Sequence, residues 1–223
     1  VFHASIFNFI FVICTFYTLY NLKLSLHFSF FYSLLVAVLA YPSSGTPYVD
    51  HQASYLSIIS IYCFILALKT NLKIYWFFLP LVLGISFLTK QTPTAHFSII
   101  IAILSIIYFI FNFNIKKIIF GIFGFVFFIS IFLFILFIAN IPLITFFDQY
   151  ILYPLSIGEG RLDLLFPLEF QRLILRFKLI HFFSLVLIII SIIKVFHDYK
   201  FLKSNDFLII ISLVFSSFSL IVH

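Results

Sequence analysis

Eight long apolar stretches alternate with short polar ones along this chain, and that alternation predicts its architecture. The apolar runs cover about residues 4–20, 24–40, 53–68, 74–88, 95–111, 118–139, 179–193 and 207–222. Each is roughly the 17 to 25 residues that cross a hydrocarbon core as a helix, some at the short end. They are continuous and lack period-two alternation, which favours helices over a barrel. The expected fold is therefore an all-α, polytopic transmembrane helical bundle of about eight spans, forming a single domain over residues 1–223. The longest polar interruption, residues 140–178, is expected to be an external segment between the sixth and seventh spans.

Composition agrees: of 223 residues, 64% are hydrophobic and 9% charged, more apolar surface than a soluble domain can hide. The chain opens with Val1, contains no methionine, and its last apolar run stops abruptly at His223. The expectation is an internal fragment, in which a signal peptide cannot be assessed. Cys14 and Cys63 both lie inside apolar runs, far from a disulfide framework or a metal spacing.

The net charge of +6 matters less than where the basic residues fall. Alternate loops hold Lys23; Lys69 and Lys73; Lys116 and Lys117; and Lys194, Lys200 and Lys203. The positive-inside rule places those loops in the cytoplasm. Asp50, Lys90 and the whole of 140–178 then lie outside, and the parity works without forcing a span. Within the external segment, Gly158-Glu159-Gly160-Arg161 makes a turn-rich stretch. From Pro167 to His181, Glu169, Arg172 and Arg176 recur at helical spacing among apolar residues, which reads as an amphipathic helix on the membrane surface. A plain solvated flank touching lipid phosphates is the other reading.

Candidate chemistry gathers on the external face. The break Tyr41–Gln52, YPSSGTPYVDHQ, reads as a surface loop that sets Asp50 and His51 at the mouth of the third span. Lys90 and Gln91 close the fourth span, and His96 begins the fifth. Spans joined by a short loop are antiparallel neighbours, so these ends should meet. Such a cluster suits an anionic, lipid-linked ligand. Lysine would neutralise a phosphate as a point charge, and Asp50 would act as base or orient a sugar hydroxyl. Blander readings stand beside it: Asp50 as an N-cap, Lys90 snorkelling at the interface, and His51 and His96 as ordinary interfacial residues. By ligand type Asp50, His51 and His96 could hold a divalent metal, although adjacent residues at a helix start do not usually converge on one ion.

Other classes are excluded. Phosphate-loop, dinucleotide, HExxH and GxSxG motifs are absent, and the basic residues flank membrane spans, which does not fit nucleic-acid binding. No acid falls mid-span, which argues against proton-coupled transport.

The segment YPSSGTPYVDHQASYLSIISIYCFILAL, followed by LGISFLTKQTPTAHFSIIIAIL, resembles the polytopic GT-C glycosyltransferases. The nearest group is the dolichyl-phosphate-mannose–protein mannosyltransferases with their bacterial polyprenyl-phosphate-sugar relatives. There an external Asp often opens a span after a small-residue loop, as Asp50 does, and a later span ends in a "G…LTK" phrase, matched by Gly84, Leu88, Thr89 and Lys90. A long external segment with surface helices is also typical, which would bring Glu159 and Arg161 to the substrate. The resemblance covers about residues 41–103 and the rest only in layout. It implies a multi-pass enzyme of the bacterial inner membrane, moving sugar from a polyprenyl-phosphate donor to an external acceptor that is glycan, lipid or protein. The principal catalytic acid of that family lies in its first external loop, which has no counterpart here. Asp50 would then be a supporting acid, with the principal one upstream. A transporter or lipid-linked glycan flippase, and an O-antigen ligase or polymerase, share the same hydropathy.

Overall fold

The structure is a computed structural model that describes residues 2–41, 48–70, 72–156 and 177–222, with side-chain surroundings for all of these except 93 and 219–222. It is all-helical, without a strand among the described residues. The order is α1 (Phe2–Asn21), α2 (Leu26–Leu39), α3 (Val49–Lys69), α4 (Ile74–Thr89), α5 (Gln91–Phe111), α6 (Ile115–Ile138), a short α7 (Leu143–Phe147) running into a π-turn (Asp148–Leu152), α8 (Lys178–His197) and α9 (Asn205–Val222). Every predicted run is a helix. Among the described residues five helices are long and apolar enough to cross a membrane: α1, α3, α5, α6 and α8. The chain is a multi-pass membrane protein. The apolar helices α2, α4 and α9 are shorter by the same measure. The 14 residues of α2 rise about 21 Å at 1.5 Å each.

Local chemistry sets the helix ends. Asn114 caps α6, its side chain accepting from the amides of Lys116 and Lys117. At the other end Asn140 takes the left-handed conformation (φ 52°), and the Ile141 amide reaches back to the Leu136 carbonyl. Asn tolerates that conformation, and Pro142 just beyond stops the helix. Lys23 (φ 67°) closes α1 in the same way, with Leu24 donating back to Leu19.

The helix α3 is the hub, packing on α1, α4, α5 and α9. It is 61% buried along its apolar window, against 6% for α6 and 11% for α8. Phe64, Trp76, Leu79, Phe97, Ile101, Leu104, Tyr108 and Leu208 make the main core, in the space between α3, α4, α5 and α9. Two glycines let α4 and α6 approach closely. A Cβ on Gly124 would lie 2.0 Å from the Phe77 carbonyl oxygen, and one on Gly84 would lie 2.6 Å from the Phe128 ring.

Ion pairs stand at both ends of α3. At one end Lys69 pairs with Asp206, Asn205 donates to the Leu68 carbonyl, and the Lys203 ammonium lies over the Phe111 ring. The ends of α3 and α5 and the start of α9 therefore meet there. Asp50 and Lys90 stand at the opposite end of α3.

Two expectations are corrected. The break Tyr41–Gln52 is shorter than predicted, because Tyr48 is the extended N-cap residue and Asp50, His51 and Gln52 are already helical. Asp50 is thus in the first turn, where the helix dipole favours a carboxylate, and is not the N-cap. The break Thr89–Thr94 shrinks to Lys90 with a kink at Thr92. Thr94 is fully buried because other helices offer its hydroxyl partners. The predicted surface helix from Pro167, together with Glu159 and Arg161, lies outside the described residues.

Candidate functional site

Two backbone events place the site. One is the start of α3, which presents Asp50. The other is the junction of α4 and α5, where Lys90 adopts extended backbone (φ −159°, ψ 136°) and serves both helices as a cap. Its amide still closes α4 on the Ser86 carbonyl at 3.1 Å. Its ammonium donates to Asp50 Oδ1 at 2.5 Å. The pair is open to its surroundings, with side-chain exposures of 34% for Lys90 and 57% for Asp50. An ion pair that exposed adds only about 0–1 kcal/mol to stability.

Gln91 extends the group toward the segment after α6. Its amide nitrogen donates to the Tyr150 carbonyl, and the Tyr150 hydroxyl donates to the Phe87 carbonyl near the end of α4. The Tyr150 ring stacks on Phe146 with centroids 5.0 Å apart. Loss of solvent pushes the Tyr150 phenol up to about 12, so it remains a donor at any physiological pH. The π-turn is thereby pinned beside Lys90.

His51 adjoins on α3, its ring 6.0 Å from that of Tyr48, and its Nδ1 is buried without a hydrogen-bond partner among the described residues. Gln52 contacts His3 Nδ1 at 3.3 Å, which ties the start of α1 to this end. His96 is exposed further along α5 and is not drawn into the hydrogen-bonded group. Among the described residues no three His, Cys, Asp or Glu side chains gather as a metal site would, so Asp50, His51 and His96 do not form one. The clefts between α4 and α6, α1 and α2, and α8 and α9 are mainly apolar and lie away from Asp50 and Lys90.

Sequence reasoning missed what lies beneath the pair. Ser57 of α3, Ser86 of α4 and Thr94 of α5 are fully buried and meet through their hydroxyls: Ser57 to Ser86 at 3.0 Å, Ser86 to Thr94 at 2.8 Å, Ser57 to Thr94 at 3.3 Å. Ser86 also lies 3.0 Å from the Ala53 carbonyl and donates to it. Three donors close on one another and a carbonyl, so hydroxyls buried from water are satisfied. This knot fixes the helix ends that carry Asp50 and Lys90. Its only sequence signal is small hydroxyl residues inside apolar runs.

No protein-family model, curated protein or solved structure matches the chain.

Proposed function

We propose that this chain is the membrane domain of a GT-C-type glycosyltransferase that takes sugar from a polyprenyl-phosphate donor on the external face. The observation that carries the reading is the 2.5 Å contact between Asp50 and Lys90. It joins the two separate phrases on which the GT-C resemblance rests. Gln91 and the π-turn beside it would border the same ligand, with His51 and His96 at its approaches, and Glu159 and Arg161 are kept as substrate-binding residues on the resemblance alone.

In this mechanism an acceptor hydroxyl attacks the anomeric carbon, the carbon–oxygen bond to phosphate breaks, and polyprenyl phosphate leaves with added negative charge. Lys90 stabilises that charge, which exists more fully in the transition state than in the bound donor. Asp50 holds the Lys90 ammonium in place and hydrogen-bonds a sugar hydroxyl. The acceptor's proton goes to a carboxylate base, a role that the GT-C resemblance gives to a residue other than Asp50. The proposal includes eight spans, with α2, α4 and α9 crossing as short helices, and a bacterial inner-membrane location with the lysine-rich end in the cytoplasm.

The test is incubation of the full-length protein in liposomes with a panel of polyprenyl-phosphate hexoses and envelope acceptors. Release of polyprenyl phosphate with glycosylated acceptor supports the proposal. Movement of intact donor between leaflets, with no release, identifies a flippase and overturns it.

A further inference from the structure

At the lysine-rich end, opposite the candidate site, a second feature combines charge with an apolar channel. A cleft of about 510 Å³ runs between α4 and α6, lined by Ile74, Phe77, Phe120, Phe123, Phe127 and Ser130. That is within the roughly 300–1,000 Å³ of ordinary ligand sites. Its α6 wall is a single helical stripe, because Phe120, Phe123, Phe127 and Ser130 follow one another at three- and four-residue steps. One turn before Phe120 on that stripe stands Lys116, exposed. On the facing helix Lys73 directly precedes Ile74 and stands one turn before Phe77. Two lysines thus head both walls of one apolar groove.

The surrounding charges leave this head positive. Neither Lys73 nor Lys116 forms an ion pair among the described residues, and the first turns of α4 and α6 carry no acid. The neighbouring Lys117 turns away, buried and donating to the Tyr108 hydroxyl at 2.9 Å. Gly121 and Gly124 lie on this adjoining α6 stripe against the backbone of Trp76 and Phe77, so the groove floor is backbone against backbone.

We propose that this groove binds an anionic phospholipid of the cytoplasmic leaflet, its phosphate between Lys73 and Lys116 and an acyl chain along the phenylalanine stripe. An apolar groove alone would accept any lipid tail. The paired lysines at its head select a negatively charged headgroup. The inference rests on the multi-pass fold and on the proposed orientation, and is independent of the glycosyltransferase reading.

The chain's single tryptophan, Trp76, has its ring buried in the core against Tyr108 and Phe109, so the groove is read by a tryptophan moved onto its α6 wall, Phe123→Trp with Trp76→Phe. Phe123 is exposed on the groove wall, so a tryptophan there meets the acyl chain. This reporter protein is placed in phosphatidylcholine vesicles containing brominated phosphatidylglycerol or brominated phosphatidylcholine, and its tryptophan quenching is followed. A lysine near a charged lipid surface contributes roughly five-fold in affinity, so two give ~25-fold. The brominated anionic lipid should therefore quench at a mole fraction ~25-fold lower. In Lys73→Gln/Lys116→Gln the two quenching curves should nearly coincide, whereas Lys194→Gln/Lys200→Gln should keep the preference. Equal quenching by both lipids in the parent protein overturns the proposal. So does a preference that survives the first double change, or one lost equally in the second, which would show general surface charge.

Discussion

Gly121 and Gly124, one helical turn apart on α6, should respond oppositely to the same substitution. A Cβ at position 121 would meet only the Trp76 carbonyl at 3.7 Å, an ordinary contact. A Cβ at position 124 would lie 2.0 Å from the Phe77 carbonyl oxygen and 2.8 Å from its carbon, both backbone. A carbon–oxygen contact relaxes only at about 3.3 Å, so α6 must move by more than ~1 Å from α4. Overpacking of that kind costs about 1–3 kcal/mol, and rigid backbone on the far side puts Gly124→Ala near the upper end. Replacing glycine in a helix returns about 1 kcal/mol. Gly124→Ala should thus destabilise by ~2 kcal/mol net, while Gly121→Ala should be neutral or stabilising by up to ~1 kcal/mol. For a chain of this size the first corresponds to a melting temperature roughly 4–8 °C lower. Thermal unfolding of both variants in one detergent, followed by Trp76 fluorescence, measures the difference. Equal melting temperatures for the two variants would refute the close α4–α6 crossing.

Ser86→Ala should lower stability by about 0.6 kcal/mol and at most about 1.7 kcal/mol, the mean and the maximum measured for interhelical hydrogen bonds in membranes, and thermal unfolding in detergent reads it. Tyr150→Phe should release the π-turn from Phe87, increasing protease cleavage between α6 and α8 while the bundle stays folded. The Tyr150 phenol is raised, so its stabilising proton is fully held below about pH 10, and the contribution is lost as pH rises toward about 12. A phenolate titration of wild type against Tyr150→Phe should show one late-titrating group missing. Single cysteines at positions 90 and 161 should label from outside the cell, whereas positions 73 and 200 should stay protected. The reverse pattern would invert the topology.

The bundle was legible because hydropathy in a lipid solvent leaves little choice: each long apolar run had to become a helix. Boundaries failed where side chains found unexpected partners. Thr94 reads as loop beside Pro93, yet its hydroxyl is buried against Ser57 and Ser86. Asp50 and Lys90 were paired correctly because antiparallel neighbours must bring those ends together. Tyr150 was invisible as a site residue, since nothing local in Asp148-Gln149-Tyr150 tells that Gln91 and the Phe87 carbonyl await it. The hydroxyl knot was missed for a related reason. Serine within an apolar run has no period that distinguishes a core contact from a bond to its own helix.

The central claim is that Asp50 and Lys90 form one site for a lipid-linked phosphate sugar, and turnover of Lys90→Ala tests it most directly. Sugar transfer from a polyprenyl-phosphate donor is measured in liposomes at matched expression, with Asp50→Asn and Lys90→Arg alongside. If Lys90 stabilises the leaving phosphate, Lys90→Ala falls by roughly ten- to a thousand-fold, about 1.4 to 4 kcal/mol. Lys90→Arg should keep part of the activity, and Asp50→Asn should impair transfer in a protein that still folds. Wild-type rates for both Lys90→Ala and Asp50→Asn would reduce the 2.5 Å contact to an interfacial ion pair and contradict the account.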